Sequence, residues 1–132
     1  MELANMLFLV GRIFFGAYWL MNASNHLIFQ RTHLKGFVAS KNIPSPHIAI
    51  VIAGLLLLAG GLGILLGVYA QLAIGALILF LVPVTILMHS FWLDKDAATR
   101  AGNMINFSKN MALVAALLML LAIPTPWPFA LF

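Results

Sequence analysis

Four apolar runs, each close to twenty residues and nearly free of charge, constrain this 132-residue chain more than any other feature. They cover about 5–27, 47–67, 69–92 and 104–123. A helix needs about 20 residues to cross about 30 Å of hydrocarbon, and each run has that length. The runs are continuous rather than alternating, which fits membrane helices and not barrel strands. The first is too long for the core of a signal peptide, and no small-residue cleavage pattern follows it. The expected fold is all-α: an integral membrane four-helix bundle of antiparallel transmembrane helices, forming a single domain over 1–132.

Composition closes the alternatives. The chain is 64% hydrophobic and 8% charged, with a mean hydropathy of +1.08. Soluble domains carry about 25% charged residues, so seven basic and three acidic side chains cannot clothe a water-facing surface. There is no cysteine, which removes disulfides, thiolate metal sites and dithiol chemistry. The net charge of +4 comes from cations scattered between Arg12 and Lys109 without a basic run, so no nucleic-acid partner is expected and the partner is a lipid bilayer.

The connections differ in kind. Residues 28–46 read as a polar loop with Arg31, His33, Lys35 and Lys41, ending in Pro44-Ser45-Pro46. The turn at Gly67-Val68-Tyr69 is so short that the second and third spans must form a hairpin. Residues 93–103 carry Asp94, Lys95, Asp96 and Arg100. The tail over 124–132 is proline-rich and presents Trp127 as an interfacial anchor. Arg31, Lys35, Lys41, Lys95 and Arg100 all lie on one side, so the positive-inside rule puts 28–46 and 93–103 in the cytoplasm and both termini outside. Arg12, inside the first span on the other side, is expected to snorkel to the headgroups.

Within the spans, Gly54, Gly60, Gly61, Gly63 and Gly67 suit close helix packing, and Pro83 is expected to kink the third span. Ionisable and amide groups are costly in a membrane and face protein or a water-filled cavity. Asn22, Asn25 and His26 end the first span on one helix face; His89 and Trp92 end the third; Asn106, Lys109 and Asn110 open the fourth at i+3 and i+4 spacing; His47 opens the second. An even number of crossings puts all these ends on the same side. A polar, cationic pocket is therefore expected at one end of a greasy bundle, with Asn22, Asn25, His26, His89, Trp92, Asn106, Lys109 and Asn110 as candidate ligand-binding residues. Lys109 lies more than one turn inside a helix N-terminus, where the macrodipole disfavours a cation; it either snorkels to the headgroups or calls for Asp94, Asp96, a lipid phosphate or an anionic ligand.

Other chemistries do not fit these residues. The four histidines form no His-x-x-His or His-x-x-x-His pair, so no metal site is expected. A serine triad lacks a buried acid. Haem held by His26 and His89 would have both ligands at one end of the bundle.

A family resemblance is carried by four segments. Gly11-Arg12-Ile13-Phe14-Phe15-Gly16, followed by Asn22-Ala23-Ser24-Asn25-His26-Leu27, resembles the first helix of the DoxX family of small membrane proteins. The likeness continues through the glycine-rich second span, then Leu81-Val82-Pro83-Val84-Thr85 with Met88-His89-Ser90-Phe91-Trp92, and ends at Phe107-Ser108-Lys109-Asn110-Met111-Ala112-Leu113. Relatives often have a glycine before the Asn-His pair, where this chain has Asn22-Ala23-Ser24-Asn25. The resemblance implies a four-helix membrane bundle associated either with quinone-linked oxidoreductases and oxidative-stress complexes or with cargo reception and assembly. Asn25, His26, His89, Trp92, Lys109 and Asn110 carry over.

Two readings follow. In one, the chain is a redox-associated subunit that holds a quinone or similar lipophilic ring, with His89 and Lys109 on a carbonyl oxygen and Trp92 stacked on the ring. In the other, it is a non-catalytic membrane partner, an assembly chaperone or a lipid-binding protein. No cofactor motif or nucleophile points to independent catalysis.

Overall fold

The computed structural model describes residues 2–131. Helix α1 (Leu3–Ser24) runs into a π-helical segment (Asn25–Phe29), followed by α2 (Arg31–Ser40), α3 (Pro46–Leu66), α4 (Ala70–Met88), a 3-10 turn (Phe91–Leu93) and α5 (Ala97–Leu121). Four stretches are long and apolar enough to span a membrane: Leu3–Phe29, Pro46–Leu66, Ala70–Leu93 and Ala97–Leu121. They correspond to the four apolar runs, and among the described residues no strand is present. Large apolar side chains such as Phe14, Leu72 and Met119 stand exposed around the outside, as a lipid-facing surface requires.

Helix α3 is the centre of the assembly, packing on both α1 and α4, while α4 packs in turn on α5. Association inside lipid gains little from hydrophobicity, because acyl chains are as apolar as leucine; close approach of backbones replaces it. The glycines of α3 and α1 allow that approach. A Cβ added at Gly16 would lie 2.9 Å from the Cα of Leu65, so α1 and α3 meet with no room for a methyl group. Trp19, Leu57, Ile64, Ile74, Leu77, Leu81 and Leu117 fill the remaining core. The α3–α4 connection is the expected hairpin, closed by bonds from the Gly67 and Val68 amides to the Gly63 carbonyl. Helices α1 and α5 are not a packed pair. They face each other across a groove floored by Ile64 of α3, so the four crossings form an arc with one open seam.

Several expectations are corrected. The region read as a polar loop contains a ten-residue helix, α2, whose Leu34 and Val38 pack one turn apart in a small cluster with Ile50 and Met88. That i, i+4 pair is enough to dock a helix whose other residues are mostly exposed. The fourth apolar run lies within a longer helix, α5, that starts at Ala97 because Asp96 caps it: its Oδ2 accepts from the Thr99 backbone N–H and hydroxyl, each at 2.9 Å. Those bonds, the backbone one foremost, hold the Asp96 carboxyl below the usual carboxylate range. Lys109 therefore sits about 18 Å along α5, well past the N-terminal turn where the macrodipole acts. Pro83 lies inside α4 without ending it.

The tail is corrected most. Trp127 is not an exposed anchor; it is only 3% exposed and packs edge-on against Phe8, with ring centroids 5.3 Å apart. Arg12 does not snorkel; it is 5% exposed and donates to the carbonyls of Pro128 (2.7 Å) and Phe129 (3.0 Å). Leu131 N–H completes the return by donating to Leu66 C=O at 2.9 Å. Buried backbone carbonyls outside a helix need donors, and the Arg12 guanidinium supplies two here.

Gly16→Leu should lower stability by about 1–3 kcal/mol through overpacking at the α1–α3 contact. Gly102→Leu, whose added Cβ meets nothing within 4 Å, should not. Thermal unfolding of both variants in the same detergent checks the difference.

Candidate functional site

One end of the bundle holds a pocket of about 350 Å³ between the π segment, α2, α3 and α4. Its lining is apolar (Val38, Ile50, Phe80, Pro83, Val84 and Met88 among others) except for two side chains, His26 and His89. The ends of α1 and α4 and the start of α3 meet here, as an even number of crossings requires. Helix α2 contributes Leu34, Phe37 and Val38 as a cover.

His26 is placed by the π segment. The Gln30 amide bonds to the Asn25 carbonyl at 2.8 Å, five residues back, so the last turn of the first crossing is wider than an α-turn. Gly54 of α3 permits the approach: a Cβ there would sit 3.2 Å from the His26 Cβ. The His26 Nδ1 lies 2.8 Å from the Asn22 carbonyl oxygen. A carbonyl only accepts, so Nδ1 carries the proton and Nε2 keeps its lone pair. Phe80 meets the imidazole edge-on at 5.5 Å.

His89 is placed differently. Helix α4 ends at Met88, and His89 leaves it with φ −119° and ψ 40°. Its Nδ1 is 3.2 Å from Asn103 Oδ1. Asn103 Nδ2 in turn donates to Asp94 Oδ2 at 2.7 Å, which fixes the amide with its oxygen toward the imidazole. Arg100 tethers the Asp94 carbonyl through Nε and Nη2, at 3.1 and 2.8 Å. The Asp94–Asn103–His89 chain therefore sets the same tautomer as at His26, with the proton on Nδ1 and the lone pair on Nε2.

The other expected residues divide among separate places. Asn22 donates to Tyr18 C=O within its own helix at 2.9 Å. Asn25 is half-buried in the π turn, Asn106 is half-buried on α5, and Asn110 is buried on α5. Trp92 is 53% exposed and stacks edge-on with Phe91 and Phe107 outside the pocket. Lys109 is exposed on the α1–α5 seam beside Gly11, Phe15 and Tyr18, away from both histidines. None of these six lines the histidine pocket. His47 is exposed and held by Arg31 at 2.9 Å. Asp94 and Asn103 act as partners of His89 that the sequence does not disclose. They lie 5 and 14 residues beyond it, across a turn and a helix start, and no periodicity exposes such a spacing. Among the described residues no group of three metal-ligating side chains exists.

The DoxX family pattern matches residues 7–90. The chain belongs to the DoxX family. No curated protein and no solved structure matches it. In this DoxX protein the matched segment contains both imidazoles and every pocket-lining residue, whereas Asp94 and Asn103 lie beyond it.

The tautomer assignment has a direct check. In 15N spectra, the wild-type His89 ring should show protonated Nδ1 and bare Nε2, and Asn103→Leu should give a mixture of tautomers. An unchanged ring signal in that variant would remove Asn103 from the positioning role.

Proposed function

We propose that this DoxX protein is a redox-associated membrane subunit that holds a quinone or a similar flat lipophilic ring in the histidine pocket. The observation that carries the reading is the presence of two imidazoles, with the same tautomer, in a pocket otherwise made of hydrocarbon. A pocket of this kind, apolar with a few convergent polar groups, suits a ring that is greasy on its faces and polar at its edges. As neutral groups, the two Nε2 lone pairs accept from the O–H groups of a hydroquinone. Protonated, each Nε2–H donates to a quinone carbonyl. One pair of side chains thus serves both forms of a ligand whose forms differ by two protons and two electrons. Phe80 and Val84 supply apolar contact to the ring. The basic residues Arg31, Lys35, Lys41, Lys95 and Arg100 accompany this end of the bundle, which supports a cytoplasmic-facing pocket in a bacterial inner membrane with both termini outside.

Reconstitution with ubiquinone or menaquinone tests the reading. His26→Ala and His89→Ala should each weaken binding by about tenfold, the equivalent of one hydrogen bond to a polar ligand edge. Lys109→Ala should leave affinity unchanged. Equal affinity in wild type and both histidine variants would contradict the site. A stoichiometric membrane protein that co-purifies without any ring compound would favour the assembly-chaperone role instead.

A further inference from the structure

At the opposite end of the molecule, the open seam between α1 and α5 holds a second cavity, of about 620 Å³. Its walls are Phe8, Ile64, Ala116 and Leu120, together with Arg12 and Trp127. Two observations set it apart from an ordinary lipid-filled crevice. Arg12 is only 5% exposed, yet among the described residues no carboxylate pairs with it; its terminal nitrogens reach only the neutral carbonyls of Pro128 and Phe129. In addition, Arg12 Nε and Trp127 Nε1 are both buried N–H donors without a hydrogen-bond partner among the described residues. Buried charges are normally neutralised and buried donors normally satisfied, because leaving either alone costs several kcal/mol on the order of a lost hydrogen bond or more. Asp94 and Asp96 belong to the other end of the bundle, and Glu2 lies ten residues before Arg12, about 15 Å along the helix.

We propose that this seam binds an anionic amphiphile, with its oxyanion head at Arg12 and Trp127 and its hydrocarbon chain along α1 and α5. The head supplies the missing negative charge and accepts from the unpartnered donors. The chain has a path, because Gly11 and Phe15 line both this cavity and the adjoining groove that runs on to Lys109. Gly11 keeps that path open, since no atom lies within 4 Å of where its Cβ would be. Carboxylate and phosphate heads share this chemistry. A free fatty acid and an anionic phospholipid are therefore the two sources to separate. The site is independent of the histidine pocket and stands whether or not that pocket takes a quinone.

The test uses the delipidated protein in neutral detergent, titrated with hexadecanoate and with hexadecanol, and the protein in nanodiscs of phosphatidylglycerol or phosphatidylcholine. Hexadecanoate should bind at least about tenfold tighter than hexadecanol, or phosphatidylglycerol should be retained over phosphatidylcholine by a similar factor, as a charge-assisted bond to a buried cation requires. The first result identifies the free acid and the second the lipid headgroup. Arg12→Gln should erase the preference for the anion. Gly11→Leu and Ala116→Phe, which fill the seam without touching the Arg12 bonds, should weaken binding by about tenfold while His26→Ala does not. Equal binding of charged and neutral probes in both assays overturns the proposal. So does an anion preference that survives Arg12→Gln or, if that variant does not fold, anion binding unaffected by Gly11→Leu and Ala116→Phe.

Discussion

The close approach of α3 to its neighbours governs the rest of the structure. In lipid, burial of leucine against leucine drives little, and helices stay together where their backbones fit. Gly16 of α1 against Leu65 of α3, and Gly54 of α3 against the end of the first crossing, set that fit where a methyl group would prevent it. With α3 central, α1 and α4 take its two sides and α5 is left to pack on α4 and the 3-10 turn that follows it. Two spaces remain. One is the pocket at the α2 end, where the π segment and the unwound residue His89 splay the helix ends. The other is the seam between α1 and α5.

Both spaces have the same logic with opposite chemistry. At the α2 end, the Nδ1–H of His26 donates to Asn22 C=O and that of His89 to Asn103 Oδ1, whose amide is fixed by Asp94. The pocket offers lone pairs. At the tail end, a guanidinium and an indole offer only donors, and the nearby protein supplies carbonyls but no anion among the described residues. The histidine nitrogens at Nδ1 are committed to protein partners, whereas Arg12 Nε and Trp127 Nε1 keep unspent donors among the described residues.

Much of this arrangement is legible in the sequence. The four crossings follow from run length and charge, the hairpin from Gly67-Val68-Tyr69, and the grouping of His26 with His89 from parity alone. What is illegible shares one cause: short segments in which a single contact overrides composition. Residues 31–40 look like loop because all but Leu34 and Val38 are exposed, yet that pair docks them as α2. The start of α5 moves to Ala97 on one aspartate cap, which carries Lys109, Asn106 and Asn110 far from where a helix N-terminus would have put them. Arg12 and Trp127 carry the strongest surface-seeking tendencies in their segments. They are buried because each satisfies the other's element: the arginine binds the tail's carbonyls, and the tail's tryptophan packs on Phe8 of α1. Nothing in local periodicity links residues more than a hundred positions apart.

The absence of cysteine makes the central arrangement open to a clean measurement. Single cysteines at Ser40, Lys95 and Gln71, all exposed positions, can be labelled with a membrane-impermeant maleimide in sealed vesicles of known orientation. Ser40→Cys and Lys95→Cys should react from one face of the vesicle and Gln71→Cys from the other. Reaction of the first two from opposite faces would separate His26 from His89 across the bilayer and contradict the shared pocket.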